Sequence, residues 1–147
     1  MSRAVLLDTG PLGFLTNPAR SPSGVACADW LDGLLAKGVR VLVPEVADYE
    51  MRRELLRAGK IAGLARLDAF GRTLEYLPLT TAAMRRAAEL WADARRKGLP
   101  TADRHALDGD VILAAQALTL GVEVVVATTN VGHLARFVTA AEWADIQ

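Results

Sequence analysis

The sequence predicts an α/β fold in which helices cover both faces of a central, mainly parallel sheet, giving three layers, α/β/α. Two observations predict it: short apolar, often β-branched segments alternate with longer segments whose apolar residues recur at helical spacing. Strands separated by helices favour parallel pairing, because the connection must cross over the sheet. At 147 residues the chain has the length of one ordinary domain, so a single domain spanning residues 1–147 is expected.

The first third of the chain predicts two buried strands and two helices. Arg3–Asp8 predicts the first strand, and Thr9-Gly10-Pro11 begins a helix, since proline is tolerated in the first helical turn. Residues 17–24 are rich in proline, serine and glycine and predict a loop. Apolar residues at helical spacing between positions 27 and 35 predict a second helix, and Val39–Val43 predicts the second strand.

The middle of the chain predicts helices around a third strand. A helix is expected from Val46, with a break near residues 59–63 and a further helical stretch beyond it. Its predicted apolar face carries Met51, Leu55, Ala58 and Ala62. Leu74–Leu79 predicts a strand, after which Thr80 or Thr81 can cap the next helix. The predicted apolar stripe of that helix is Met84, Ala87, Ala88, Trp91 and Ala94.

The last third predicts a buried helix and another core strand. A polar loop, Leu99–Leu107, leads to Val111–Leu120, which is apolar all round and therefore predicts a buried helix. The β-branched segment Val122–Ala127 predicts a strand. A short helix, an edge strand at Phe137–Thr139 and a C-terminal turn complete the prediction.

Composition limits the classes of protein to be considered. Hydrophobic residues make up 52% and charged residues 23%, which is too apolar for a disordered chain and too interrupted by charge for a membrane protein. The single Cys27 excludes an internal disulfide and a multi-cysteine zinc site. With no segment of the signal-peptide type, a cytoplasmic location is expected.

Charge is balanced over the whole chain. Seventeen basic residues match seventeen acidic ones, so no global positive field attracts nucleic acid. An RNA substrate would therefore need local attraction, and divalent cations held in an acidic pocket are the obvious source.

Several polar residues are expected at one edge of the sheet. Asp8 and Thr128-Thr129-Asn130 follow predicted strands, while Asp108 and Asp110 open the buried helix. Ligands of parallel sheets bind at the carboxyl ends of the strands, so these groups are expected to converge. Glu50, near the start of its helix, is the further candidate.

Each acid also has a simpler structural interpretation. Asp8 can cap the helix that follows it, and Glu50 can form an i,i+3 salt bridge with Arg53. One acid of the pair Asp108 and Asp110 suffices as a cap, so Asp108 is assigned to the cap or outer shell and Asp110 to a metal. His133 fits either a surface position or a place beside the metal.

Clustered carboxylates need a cation. At about 4 Å they repel by roughly 4 kcal/mol per pair at an effective dielectric near 20. Oxygen ligands select Mg²⁺ or Mn²⁺ rather than zinc, and such an ion can activate water for attack on a phosphodiester. The chain has neither a phosphate-binding glycine loop with lysine nor a nucleophilic serine elbow. A phosphoacceptor domain needs an acceptor aspartate after a central strand, where Val43-Pro44 and Leu77-Pro78 offer none.

Four segments, taken together and in this order, resemble PIN-domain proteins, including the VapC-type ribonuclease toxins. The segments are Leu6-Leu7-Asp8-Thr9-Gly10-Pro11-Leu12, Pro44-Glu45-Val46-Ala47-Asp48-Tyr49-Glu50, Asp108-Gly109-Asp110-Val111-Ile112-Leu113-Ala114-Ala115 and Thr128-Thr129-Asn130-Val131-Gly132-His133-Leu134. The resemblance implies a Rossmann-like PIN fold and a ribonuclease that uses Mg²⁺ or Mn²⁺. It also implies an antitoxin that covers the acidic groove, and a homodimer.

By this resemblance, Asp8, Glu50 and Asp110 match the family's metal-binding acids, with Asp108 as a possible further ligand. Thr9, Thr128, Asn130, His133 and Arg53 are the candidates for substrate contact or outer-shell support. His133 stands where many relatives have an aspartate, which leaves one metal or two open. Arg52, Arg57, Lys60 and Arg104 are further candidates for phosphate contact. The alternative is a non-catalytic PIN-like domain that binds RNA or a protein.

Overall fold

A parallel sheet of five strands forms the centre of the protein. The structure, a computed structural model, describes residues 3–99 and 108–147. The strands are β1 (Ala4–Leu7), β2 (Arg40–Pro44), β3 (Glu75–Leu77), β4 (Val124–Thr128) and β5 (Ala140–Glu142). They pair in the order β3-β2-β1-β4-β5, and every pair is parallel.

Helices cover both faces of this sheet. They are α1 (Thr9–Thr16), α2 (Pro22–Ala36), α3 (Glu45–Arg57), α4 (Ile61–Thr73), α5 (Thr81–Arg96), α6 (Gly109–Leu118) and α7 (Val131–Leu134), followed by a 3₁₀ turn at Trp143–Asp145. Alternate residues of β1 point to opposite faces, so Val5 and Leu7 join a core with α1 and α2, while Leu6 joins a core with α6. The predicted three-layer α/β/α fold is confirmed.

The strand order brings the ends of β1 and β4 together. From β1 the sheet grows to β2 on one side and to β4 on the other, so β1 lies at the point where the direction of winding reverses. Ligand crevices of parallel sheets open at such points, beyond the carboxyl ends of the strands. Asp8 follows β1 and Thr128 ends β4 at this position.

A buried glutamine fixes the start of α3. Pro44 precedes the helix and supplies no side-chain cap. Gln116 on α6 replaces it: its Oε1 accepts a hydrogen bond from the Val46 amide at 3.3 Å, and its Nε2 donates to the Leu77 carbonyl at 2.9 Å. One side chain therefore satisfies an otherwise unpaired helical N–H and ties α3 and the end of β3 to α6.

Two predicted boundaries are wrong. The predicted loop at residues 17–24 gives way to α2 at Pro22, because Ser21 caps that helix by accepting from the Gly24 amide at 3.0 Å. The edge strand lies at Ala140–Glu142 rather than at Phe137–Thr139. The amides of Phe137 and Val138 instead bond to the Leu134 carbonyl and close the turn after α7.

Two predicted apolar faces also need correction. In α5, Ala83 is buried in place of Met84 and Ala88, which are exposed, while Ala87 and Ala94 are buried as predicted. The face of α3 does not continue through Ala58 and Ala62, which are exposed, because Gly59 breaks the helix with φ of +66°. Apart from Leu99, the predicted loop Leu99–Leu107, with Arg104, lies outside the described residues. None of the described helices combines the length and apolarity needed to cross a membrane.

Candidate functional site

Asp8 is the most firmly held acid at the sheet edge. Its Oδ1 accepts a hydrogen bond from the Thr9 amide at 2.7 Å, and its Oδ2 accepts one from the Thr128 hydroxyl at 2.8 Å. The Thr128 hydroxyl in turn accepts from the Asn130 amide at 2.9 Å. Asp8 is thus the cap of α1, as its simpler interpretation held, and is also locked to the end of β4. The two roles are compatible.

Glu50 reaches α6 through a gap left by a glycine. A Cβ atom at Gly109 would overlap Glu50 Oε2, and would lie 2.8 Å from Cδ and 2.9 Å from Oε1. The carboxylate therefore rests against the backbone at the start of α6, between Asp108 and Asp110. Only glycine permits this approach without moving the glutamate.

Asp108 and Asp110 divide their roles at the start of α6. Asp108 is buried and caps the helix, since its Oδ1 accepts from the Val111 amide at 3.2 Å. Its Oδ2 is buried and has no hydrogen-bond partner among residues 3–99 and 108–147, an arrangement that costs free energy unless something else binds there. Asp110 lies in the first turn, where the helix dipole favours a negative charge.

His133 and Asn130 meet Asp110 at the exposed side of this cluster. His133 Nδ1 lies 3.5 Å from Asp110 Oδ2 and 3.2 Å from Asn130 Nδ2. The His133 side chain is 60% exposed, so it faces solvent beside the acids rather than the core. The predicted polar groups after β4 thus lie next to the acids of α6.

The acids interact electrostatically. Burial raises the pKa of Glu50; the charge of Asp8 adds to the rise, Arg53 opposes it, and Asp110 and Asp108 add further. Burial likewise raises the pKa of Asp110, followed by the charges of Asp8 and Asp108, with His133 acting in the opposite direction. All four predicted acids therefore share one electrostatic neighbourhood.

The donor set fits a hard divalent cation. Within residues 3–99 and 108–147, no three acidic, histidine or cysteine side chains are arranged to hold a metal ion together. The acids are neighbours rather than a finished set of ligands. Three features still favour a cation here: the ligands are carboxylate oxygens, burial and the charges of neighbouring acids raise the pKa of Glu50 and Asp110, and Asp108 Oδ2 is buried with no hydrogen-bond partner among the described residues.

The arginines of α3 have partners other than those that the sequence suggested. No ion pair joins Glu50 to Arg53 in the described part of the chain; the Arg53 guanidinium instead lies 5.3 Å from the centre of the Tyr49 ring. Arg52 binds Asp48 and Asp68 at 3.0 and 2.8 Å, and Arg57 pairs with Glu54. These partners compete with the proposed phosphate contacts of Arg52 and Arg57.

Sequence reasoning missed two glycines. A Cβ atom at Gly10 would lie 2.5 Å from Thr129 Oγ1, so this glycine allows α1 to begin close to the end of β4. Gly109 does the same for Glu50. The sequence did offer one indication of their role, because both glycines lie close to the acids. Gly10 follows Asp8-Thr9, and Gly109 lies between Asp108 and Asp110.

The raised pKa of Glu50 predicts a stability effect. The folded chain binds this proton more tightly than the unfolded chain, so stability of the metal-free protein is lost as pH rises from the ordinary glutamate range through the raised pKa. In EDTA, Glu50→Gln should raise the free energy of unfolding at pH 7 by up to about 1 kcal/mol, a value limited by solvent screening of a half-buried group. Urea denaturation measures this, and the gain should shrink below about pH 4.

The matched control is Glu54→Gln on the same helix, where an exposed glutamate pairs with Arg57. It should change stability little at either pH. A Glu50→Gln protein that is less stable than the parent at pH 7 would contradict the electrostatic account.

Several solved structures are similar to this chain over nearly its whole length. VapBC2 from Rickettsia felis, solved with a DNA fragment from its promoter, is similar with a TM-score of 0.75 and 18% identity, over 95% of this chain and 98% of that one. VapBC-1 from nontypeable Haemophilus influenzae gives a TM-score of 0.70 and 13% identity, over 97% and 99%. DNA-bound VapBC from Salmonella typhimurium gives 0.69 and 21%, over 97% and 99%.

At these identities the solved structures show a shared fold. No curated protein matches the sequence. The PIN domain family model matches residues 5–135, which include every acid of the cluster and the polar residues after β4. The chain therefore belongs to the PIN domain family.

Proposed function

We propose that the protein is an endoribonuclease that hydrolyses RNA phosphodiester bonds with Mg²⁺ or Mn²⁺. The observation that carries the proposal is the meeting of Asp8, Glu50 and Asp110 at the carboxyl edge of the sheet, in a chain of the PIN family. The mutual repulsion of these acids is what a bound divalent cation would remove.

The proposed roles follow from how each side chain is held. Asp8, Glu50 and Asp110 would hold the metal, and the unpartnered Oδ2 of Asp108 could join them. When bound, the metal supplies activation of water and stabilisation of charge on the phosphate. Thr128 and the Thr9 amide fix the direction of the Asp8 carboxylate, so its negative charge is set before substrate arrives.

The groups at the open side are proposed to contact RNA. Asn130 and His133 are exposed beside Asp110, and both carry nitrogen atoms that can donate to a phosphate or a sugar hydroxyl. Arg53 is also exposed, and its charge opposes the rise that burial and Asp8 cause in the pKa of Glu50. These residues lie where a substrate phosphate would approach the acids.

The first test is cleavage of a mixed RNA pool by purified protein with Mg²⁺, with Mn²⁺ and with EDTA. Asp8→Asn keeps the size of the side chain and removes its charge, so cleavage should fall at least about 100-fold, the scale for loss of one preorganised charge-stabilising group. Asp29→Asn, an exposed aspartate on α2, is the matched control and should retain activity.

Metal-dependent cleavage that is lost in Asp8→Asn would support the enzyme and its site together. Cleavage that persists in EDTA would contradict the proposed chemistry. If no condition gives cleavage and millimolar Mg²⁺ or Mn²⁺ does not bind, the alternative of a non-catalytic RNA- or protein-binding domain is favoured.

Gly109→Ala tests the geometry rather than the charges. The added Cβ would push the Glu50 carboxylate away from α6, whereas the first turn of a helix readily accepts alanine. Cleavage should fall about 10-fold or more while urea stability stays within about 0.5 kcal/mol of the parent. Gly33→Ala on α2, where a Cβ meets nothing within 4 Å, is the control. Unchanged cleavage by Gly109→Ala would remove Glu50 from the proposed site.

We further propose that the chain is the toxin of a toxin and antitoxin pair. Two observations support this: the similar structures named above are VapBC proteins, and an apolar groove of about 570 Å³ lies between α1, α3 and α4. Met51, next to Glu50 in sequence, lines the groove with Gly13, Leu55 and Ile61, and Ile61 is 81% exposed. An apolar segment of an antitoxin would cover these residues, of which Met51 and Leu55 lie on the helix that carries Glu50.

Coexpression with the product of a small reading frame adjacent to the gene tests this pairing. The two proteins should copurify, RNA cleavage should be suppressed, and Ile61→Asp should weaken the complex about 10-fold or more, because a charge would be buried. Val122→Asp, at an exposed apolar residue before β4, is the control. Equal affinity of Ile61→Asp and the parent would place the partner elsewhere.

A cytoplasmic location and a homodimer complete the proposal. The proposed substrate and partner are molecules of the cytoplasm. Helices α5 and α6 pack against each other, and each carries an exposed apolar side chain. Met84 on α5 and Leu118 on α6 offer contact area to a second copy of the chain.

A further inference from the structure

Tyr49 presents an exposed aromatic ring directly beside Glu50. The residue is 49% exposed, and the Arg53 guanidinium lies over its ring, 5.3 Å from the centre. Within the described residues, neither side chain forms a hydrogen bond or an ion pair. This pair is therefore unlike Tyr76, whose hydroxyl donates to Asp48 at 2.7 Å and helps to hold α3 against β3.

The helix places this pair at the mouth of the candidate site. Arg53 is three residues from Glu50 and four from Tyr49, so it lies on the helix surface next to both. The Glu50 carboxylate rests against Gly109 at the start of α6, so this turn of α3 borders the acidic cluster. The Tyr49 ring lies beside the same guanidinium and so belongs to this turn of α3.

The pair has the chemistry of a nucleobase platform. A tyrosine ring stacks on any base, and the positive guanidinium is attracted both to the ring and to RNA phosphates. Bases inside a duplex are already stacked on their neighbours and cannot lie on a protein ring, so such a platform selects unpaired nucleotides.

We propose that Tyr49 and Arg53 bind a nucleotide of single-stranded RNA beside the cleaved bond, with the base stacked on Tyr49 and Arg53 near its phosphate. The inference rests on the proposed ribonuclease function and adds Tyr49 as a residue that binds the substrate by stacking. Tyr49 thus becomes a substrate-binding residue that the charge pattern alone did not indicate.

Binding without cleavage tests the platform. Affinity for a fluorescein-labelled single-stranded RNA is measured by anisotropy in Mg²⁺, in a background of Asp8→Asn. Tyr49→Ala should weaken binding about 5- to 150-fold, the range for loss of one base stack. Tyr49→Phe should bind within about twofold of the background protein, because the ring remains. Leu56→Ala, at a 61% exposed residue of the same helix, is the matched control and should bind normally.

A duplex of the same sequence provides the second measurement. The background protein should bind it more weakly than the single strand, and Tyr49→Ala should leave that residual affinity unchanged. A Tyr49→Ala protein with undiminished affinity for single-stranded RNA would overturn the platform alone, while cleavage by the parent protein would still support the ribonuclease. Absence of both RNA binding and cleavage would overturn the proposed function and the platform with it.

Discussion

Repulsion among carboxylates is the physical constraint on which the candidate site depends. Two carboxylates about 4 Å apart repel by roughly 4 kcal/mol at an effective dielectric near 20, against a total stability of about 5–15 kcal/mol for an ordinary domain. Four acids at that spacing would cancel the stability of the fold. In the structure, burial and the charges of neighbouring acids raise the pKa values of Glu50 and Asp110. The acids nevertheless lie too far apart for any three of the described side chains to hold a metal ion together.

The chain distributes this cost between fixed and adjustable side chains. Asp8 and Asp108 are buried, and each accepts a backbone hydrogen bond at the start of a helix. Their positions are fixed by the sheet edge and by α6. Glu50 and Asp110 are half-buried, and the Glu50 carboxylate sits at the end of a flexible side chain. The adjustable pair could close on a cation placed at the fixed pair, so the metal would complete the site rather than enter a rigid cage.

The sheet core was the most predictable part of the fold, for a physical reason. Strands β1, β2 and β4 are buried on both faces and so appear as continuous apolar segments, which predict strands at nearly the observed bounds. Strand β5 has three residues at the sheet edge and carries no such pattern. In α5 the buried face differs from the predicted stripe because alanine contributes little to an apolar pattern, and the larger Met84 suggested a neighbouring face.

The acids of the site were predictable from where they follow strands or open helices, whereas their contacts were not. The hydroxyl of Thr128 meets Asp8 across 120 residues of sequence, and no local pattern encodes that bond. Gly109 gains its role only when α3 packs against α6. The Glu50–Arg53 salt bridge, the simpler interpretation of Glu50, does not form in the described part of the chain. Tyr49, four residues before Arg53, instead offers the guanidinium an aromatic face that the charge pattern does not show.

The zero net charge of the chain limits how the proposed enzyme could attract RNA. Basic and acidic residues are equal in number, and two arginines of α3, Arg52 and Arg57, are held by acids of α3 and α4. Such a surface gains little from the release of counterions, which dominates the affinity of strongly basic nucleic-acid-binding proteins. In the proposed enzyme, attraction would come from the metal at the acids and from contacts that do not depend on net charge, such as the proposed stacking on Tyr49. Stacking on Tyr49 would favour unpaired nucleotides even though the protein carries no net positive charge.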